Sequence, residues 1–154
     1  MAKLEISAVD LALRFVGVHE APGPEAEPTI LWFLRSCDES VTQDDVPWCS
    51  GFANRIAWLL DLPRSDSLRA RSWLTVGRPV EPLANAQIGF DVVVLKRGTN
   101  VGPEVLQAPG HVGFFYGFDG ERVRVLGGNQ GDAVNVSSYP LAKVLGVRRL
   151  WGQG

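Results

Sequence analysis

Cys49 stands in the segment Asp44-Asp45-Val46-Pro47-Trp48-Cys49-Ser50-Gly51-Phe52, where a loop gives way to an apolar repeat of helical spacing. A thiol attacks as the thiolate, and the unpaired N–H groups and positive dipole end of a helix start favour that anion. Residue type and position therefore predict a nucleophile with a lowered pKa. Phe52, Ile56, Leu59 and Leu60 recur at helical spacing and Leu62-Pro63 ends the run, so a helix of about three turns docks its stripe on a core. Pro47 suits a loop or first turn, and Asp44 or Asp45 is placed to cap the opening amides. The competing reading is a buried structural cysteine beside Trp48 and Phe52. A base would decide between the two.

The chain offers two histidines, His19 and His111. Gly110-His111-Val112-Gly113-Phe114-Phe115-Tyr116-Gly117 reads as a strand, with His111 at its mouth and Gly113 leaving room for a substrate backbone or the Cys49 helix. An imidazole acting as base needs a third group to fix its tautomer. Arg122-Val123-Arg124-Val125-Leu126 alternates as the next strand, and Asp119-Gly120 between the two predicts a hairpin. Such a hairpin returns Gly127-Gly128-Asn129-Gln130-Gly131 beside His111, with Asn129 the expected orienting group and Gln130 the reserve. The alternative is an ordinary turn built from turn formers.

The order Pro47 to Ser50, Gly110 to Phe114 and Leu126 to Gln130 resembles the NlpC-type and CHAP (cysteine, histidine-dependent amidohydrolase/peptidase) superfamily of cell-wall hydrolases, in particular a small phage-associated subgroup. Gly17 to Pro24 and Ala70 to Leu74 match that subgroup as well, so the resemblance covers nearly the whole chain. It implies an α+β, papain-like domain spanning 1–154, with Cys49 as nucleophile, His111 as base and then acid, and Asn129 as orienter. It also implies a peptidoglycan stem-peptide amide as substrate, no metal or organic cofactor, and an endolysin or antibacterial effector role, with a catalytically inactive peptidoglycan-binding module on the same fold as the further alternative. An effector would be accompanied by an immunity protein. Gln43, six positions before Cys49, matches the offset at which papain-like enzymes carry a side-chain oxyanion donor. Trp48 and Trp73 are candidate glycan contacts, with the core the favoured place for Trp73, and Gln130 joins them as a candidate substrate contact. Where many CHAP enzymes carry a glutamate near the third position, Asn129 can orient the imidazole but cannot neutralise it.

Composition fits one compact unit: 154 residues, 45% hydrophobic and 21% charged, with five tryptophans to build a core. A formal charge of −2 provides no broad basic field, so nucleic acid and anionic membranes are poor partners. A monomer is expected. Arg64, Arg69, Arg71 and Arg78 form a basic stretch read as a solvated face or, less favoured, a carboxylate site. The sequence permits a disulfide between Cys37 and Cys49, but no charged-then-apolar leader opens the chain, which predicts cytoplasmic synthesis and free thiols. Release to the cell wall would then need a holin or a secretion machine. A zinc site on both cysteines and both histidines has neither paired nor finger-like spacing.

Helices are expected first. Ile6, Val9, Leu13 and Val16 mark an amphipathic helix, Thr29 to Ser36 a second with Thr29 as cap, and Ser67 to Val76 a third short one. Strands follow at Phe90 to Lys96, Val134 to Ser137 and Leu145 to Trp151, pairing antiparallel, with Arg97 to Pro109 a long loop forming one wall of a cleft.

Overall fold

The computed structural model describes residues 2–98 and 102–152. Three α-helices, α1 (Ala8–Leu13), α2 (Pro28–Leu34) and α3 (Cys49–Leu59), precede six strands, β1 (Arg78–Pro79), β2 (Asp91–Lys96), β3 (Gly110–Asp119), β4 (Arg122–Gly127), β5 (Asn135–Pro140) and β6 (Val144–Arg149). The strands form one antiparallel sheet in the order β1-β6-β2-β3-β4-β5. The class is α+β. A 3-10 turn at Ala70–Thr75 stands in place of the expected third helix.

Each helix buries the face its sequence allows. Ser7 and Asp10 form a capping box at the start of α1, whose buried face is Ala8, Val9 and Ala12. Ile6, Leu13 and Val16 of the expected stripe are exposed, because α1 stops after six residues and the small alanines let it lie close. In α2, Ile30, Phe33 and Leu34 are buried as the spacing predicts, but Glu27 and not Thr29 caps, its carboxylate accepting from the N–H groups of Thr29 and Ile30. In α3, Phe52 and Ile56 are fully buried while Leu59 is exposed near its end.

The helices cover one sheet face, where Phe33, Trp48, Phe52, Val92, Val94, Val112, Phe114 and Leu126 share the main core. Alternation sends Val93, Leu95, Phe115, Val123, Val125 and Val147 to a smaller cluster on the other face. Asp91 and Arg149 join neighbouring strands β2 and β6 through a buried ion pair of 2.7 Å.

The β3–β4 hairpin forms as read, with Asp119 opposite Arg122 and Phe114 opposite Leu126, and a register shift between Phe115 and Phe118. Gly113, however, leaves room for neither substrate nor α3. A β-carbon there would stand 2.4 Å from Val125 Cγ1 and 3.0 Å from the Leu126 carbonyl, so the glycine serves the close approach of β4. Gly113→Ala is expected to cost about 1–3 kcal/mol by overpacking, measured as a lowered urea midpoint with unchanged slope.

Candidate active site

Cys49 opens α3, and no side chain caps the helix start. The N-cap position is Trp48, which makes no side-chain capping bond. Asp44, an expected cap, instead accepts from the N–H groups of Ala21 and Glu27 and ties down the preceding loop. The opening amides are thus left for the sulfur: the backbone N–H groups of Cys49 and Ser50 face it, together with that of Val112 from β3. Cys49 is only 4% exposed, and this burial pushes the thiol pKa up despite those N–H groups and the charge of Arg97. The expectation of a lowered pKa is therefore reversed: loss of solvation outweighs the helix start. Both cysteines are free, Cys49 buried and Cys37 half-buried with its thiol also raised by burial.

His111 is next in sequence to Val112, whose N–H reaches the sulfur, and the charge of Arg97 acts on both the thiol and the imidazole. Its ring is 1% exposed, and Nε2 lies 2.9 Å from Oε1 of Gln130. The amide of Gln130 is fixed on its other side, with Nε2 donating to the Val125 carbonyl and to the carbonyl and Oδ1 of Asn135. Oε1 also accepts from the Tyr139 hydroxyl at 3.0 Å. With donors consumed by three acceptors, only oxygen can face the ring, and the ring nitrogen there must carry the proton. Nδ1 is left as the acceptor. It lies 3.3 Å from a guanidinium nitrogen of Arg97. Burial lowers the imidazole pKa to about 4, with the Gln130 bond opposing this and the Arg97 charge adding to it. At neutral pH the pair at rest is thiol and neutral imidazole.

The partner of His111 is thus Gln130, the reserve, and not Asn129. Asn129 has φ +56, a left-handed turn position that asparagine tolerates, and its half-buried side chain makes no hydrogen bond with the described residues. The turn closes through Gln130 N–H to the Ala133 carbonyl and aims the next, longer side chain at the ring. Gln130 is 4% exposed and wholly engaged, so its placing as a substrate contact gives way to this one.

Other expected contacts are structural. Trp48 is fully buried, stacks on Phe33 and donates through its indole N–H to Glu20. Gly128 lies against its ring, where a β-carbon would come within 2.7 Å. Trp73 is equally buried and donates to the Ser50 hydroxyl. Neither indole presents a face to a glycan. Gln43 is exposed and makes no side-chain hydrogen bond with the described residues. His19 is exposed, its ring 2.9 Å from the Glu20 carbonyl.

The basic stretch is not one solvated face. Arg71 is fully buried and donates to the carbonyls of Gly102, Val105 and Pro109, strapping down the segment that leads into His111. Arg69 reaches Gln107, Arg64 pairs with Asp66, and Arg78 reaches Gly152. The expected cleft wall from Arg97 to Pro109 includes positions 99–101, which lie outside the described residues. A depression of about 910 Å³ along β1 and β6, lined by Leu74, Val80, Leu83, Leu106 and Val147 among others, includes none of the residues around Cys49. Among the described residues no three His, Cys, Asp or Glu side chains gather as a metal site, and no helix is long and apolar enough to cross a membrane.

Tyr139, Asn135 and Arg97 join the site without a signal in the sequence reading. The first two sit on β5, two strands from β3, and only the sheet order brings them in. Arg97 is recoverable: Leu95 pairs with His111, and two residues further along one face is diagonal reach for a long side chain.

Among solved structures the fold resembles NlpC2 from Trichomonas vaginalis, with TM-score 0.53, 18% identity, and coverage of 95% of this chain and 46% of that one. The fold is NlpC-like. A likeness at that identity concerns the fold, and this chain spans under half of the NlpC2 chain. No family model and no curated protein matches the sequence.

Proposed function

We propose that this chain is a cysteine hydrolase that cleaves an amide bond of the peptidoglycan stem peptide. The observation that carries the reading is the tautomer of His111: Gln130 holds the proton on Nε2 and leaves Nδ1, which at rest faces the Arg97 guanidinium, as the nitrogen that can act as a base toward Cys49. In the proposed reaction Nδ1 takes the thiol proton as sulfur attacks the carbonyl carbon. The imidazolium then protonates the leaving amine, and water releases the acid from the thioester. The N–H groups at the start of α3, uncapped by any side chain, suit the developing oxyanion. The peptidoglycan assignment rests on the resemblance of the Cys49, His111 and Gly-Gly-Asn-Gln segments to NlpC-type and CHAP cell-wall hydrolases. The setting proposed is that of an endolysin-like enzyme that reaches the wall after synthesis in the cytoplasm.

The test is mass spectrometry of purified sacculi digested with the wild-type protein and, alongside, with Cys49→Ala. Muropeptides released by the first alone, with one new amine and one new carboxyl per cut, are the expected result. Equal release by both, or none by either, sinks the proposal.

A further inference from the structure

Arg97 follows β2 directly, and its backbone N–H donates to the Pro109 carbonyl, so the residue is held opposite the strand that carries His111. Its side chain is exposed at the backbone edge of the site, yet its guanidinium reaches within 3.3 Å of Nδ1 of the buried ring. Its charge is felt at Cys49, His111 and Tyr139 alike. It forms no ion pair with a carboxylate among the described residues, whose pairs are Arg64 with Asp66 and Arg149 with Asp91. A guanidinium whose side-chain partner among those residues is a neutral imidazole has most of its fork unspent, and a carboxylate is the group that fork fits.

We propose that Arg97 is the specificity residue of this site and binds a carboxylate of the substrate next to the scissile amide. This rests on the reading of Cys49 and His111 as a hydrolytic pair. The substrate class narrows accordingly to amides flanked by a free carboxylate, with neutral, amidated peptides as poor substrates. The exchange also has a chemical consequence. A carboxylate that draws the guanidinium to itself takes a donor off Nδ1 and returns the lone pair to the thiol proton, so the group recognised is also the group that frees the base.

The test uses iodoacetate and iodoacetamide, which alkylate the same sulfur and differ in carrying or lacking a carboxylate. Rates at Cys49 are followed by peptide mapping in wild-type protein, Arg97→Gln and Arg97→Lys, with Cys37 as the internal reference. Wild type is expected to favour iodoacetate at Cys49 about tenfold or more over the ratio seen at Cys37, in line with a charge-assisted hydrogen bond. Arg97→Gln loses that preference and Arg97→Lys keeps part of it. A Cys49 ratio equal to that of Cys37, or unchanged in Arg97→Gln, overturns the proposal. In a second arm, sacculi with carboxylates converted to amides are cut more slowly than native sacculi by wild type, and at the same rate as native ones by Arg97→Gln. Alkylation needs no peptidoglycan, so an anion preference without muropeptide release condemns the hydrolase reading alone, and release without an anion preference condemns the role of Arg97 alone.

Discussion

Gln130→Leu is expected to lower turnover by about 10²–10⁴-fold with little change in KM, the range that general-base catalysis contributes. The leucine fills similar volume but removes the oxygen that holds the proton on Nε2 of His111. The imidazole is then free to carry its proton on Nδ1, and a ring in that form offers the thiol no acceptor. Four other groups lose a partner, the Val125 carbonyl, the carbonyl and Oδ1 of Asn135 and the Tyr139 hydroxyl, so the variant must be shown folded by circular dichroism and thermal melting before its rate is read. Gln130→Glu separates the roles: it keeps an acceptor at Nε2 and is expected to retain more activity than the leucine variant. Asn129→Ala, by contrast, touches no bond to the ring and should leave turnover within about threefold, since losing the asparagine at φ +56 acts on turn stability alone. Full activity in Gln130→Leu, or a larger loss in Asn129→Ala, would reverse the assignment.

That contrast marks where sequence reasoning reaches and where it stops. The Asp119-Gly120 turn and the alternation on both sides of it specify the β3–β4 hairpin, and with it the return of Gly127 to Gly131 to the neighbourhood of His111. Which of two adjacent amides meets the ring depends on one backbone dihedral, and the tolerance of asparagine for the left-handed region is the one signal in Gly-Gly-Asn-Gln-Gly that favours Asn129 as the turn residue and Gln130 as the one that reaches the ring. Trp48 fails as a glycan contact for a different reason, while Trp73 takes the core place favoured for it. Trp48 and Trp73 each have an indole N–H with a buried acceptor, Glu20 and Ser50, and such pairing over 28 and 23 positions leaves no local trace. Helix positions are readable from spacing, but in α1 small residues and not large ones make the buried face. The sign of the Cys49 shift escapes the sequence because a sequence shows the helix start and hides the depth of burial.

The burial of His111 also predicts how the protein responds to acid. Its pKa falls from 6.5 to about 4 on folding, chiefly because the ring is cut off from water. Between these values the unfolded chain binds a proton that the folded chain refuses, so stability rises with pH across the window. The contribution is whole above about pH 6.5 and is lost as pH falls toward 4, a change of about 3 kcal/mol, since a tenfold difference in proton affinity is worth about 1.36 kcal/mol. Carboxylates held low by hydrogen bonds, such as Asp10 by Ser7, titrate below this range and are common to every variant. Urea unfolding of wild type and His111→Gln at pH 7 and pH 4.5 isolates the imidazole: wild type is expected to lose more stability than the variant. Activity follows the same group in the same direction. The base works as neutral imidazole, so the acid limb of kcat/KM on sacculi should lie near the shifted value and not at that of a solvated histidine. A limb near 6.5, together with equal acid sensitivity of wild type and His111→Gln, would mean that the ring is hydrated in solution and that burial does not set the chemistry of this site.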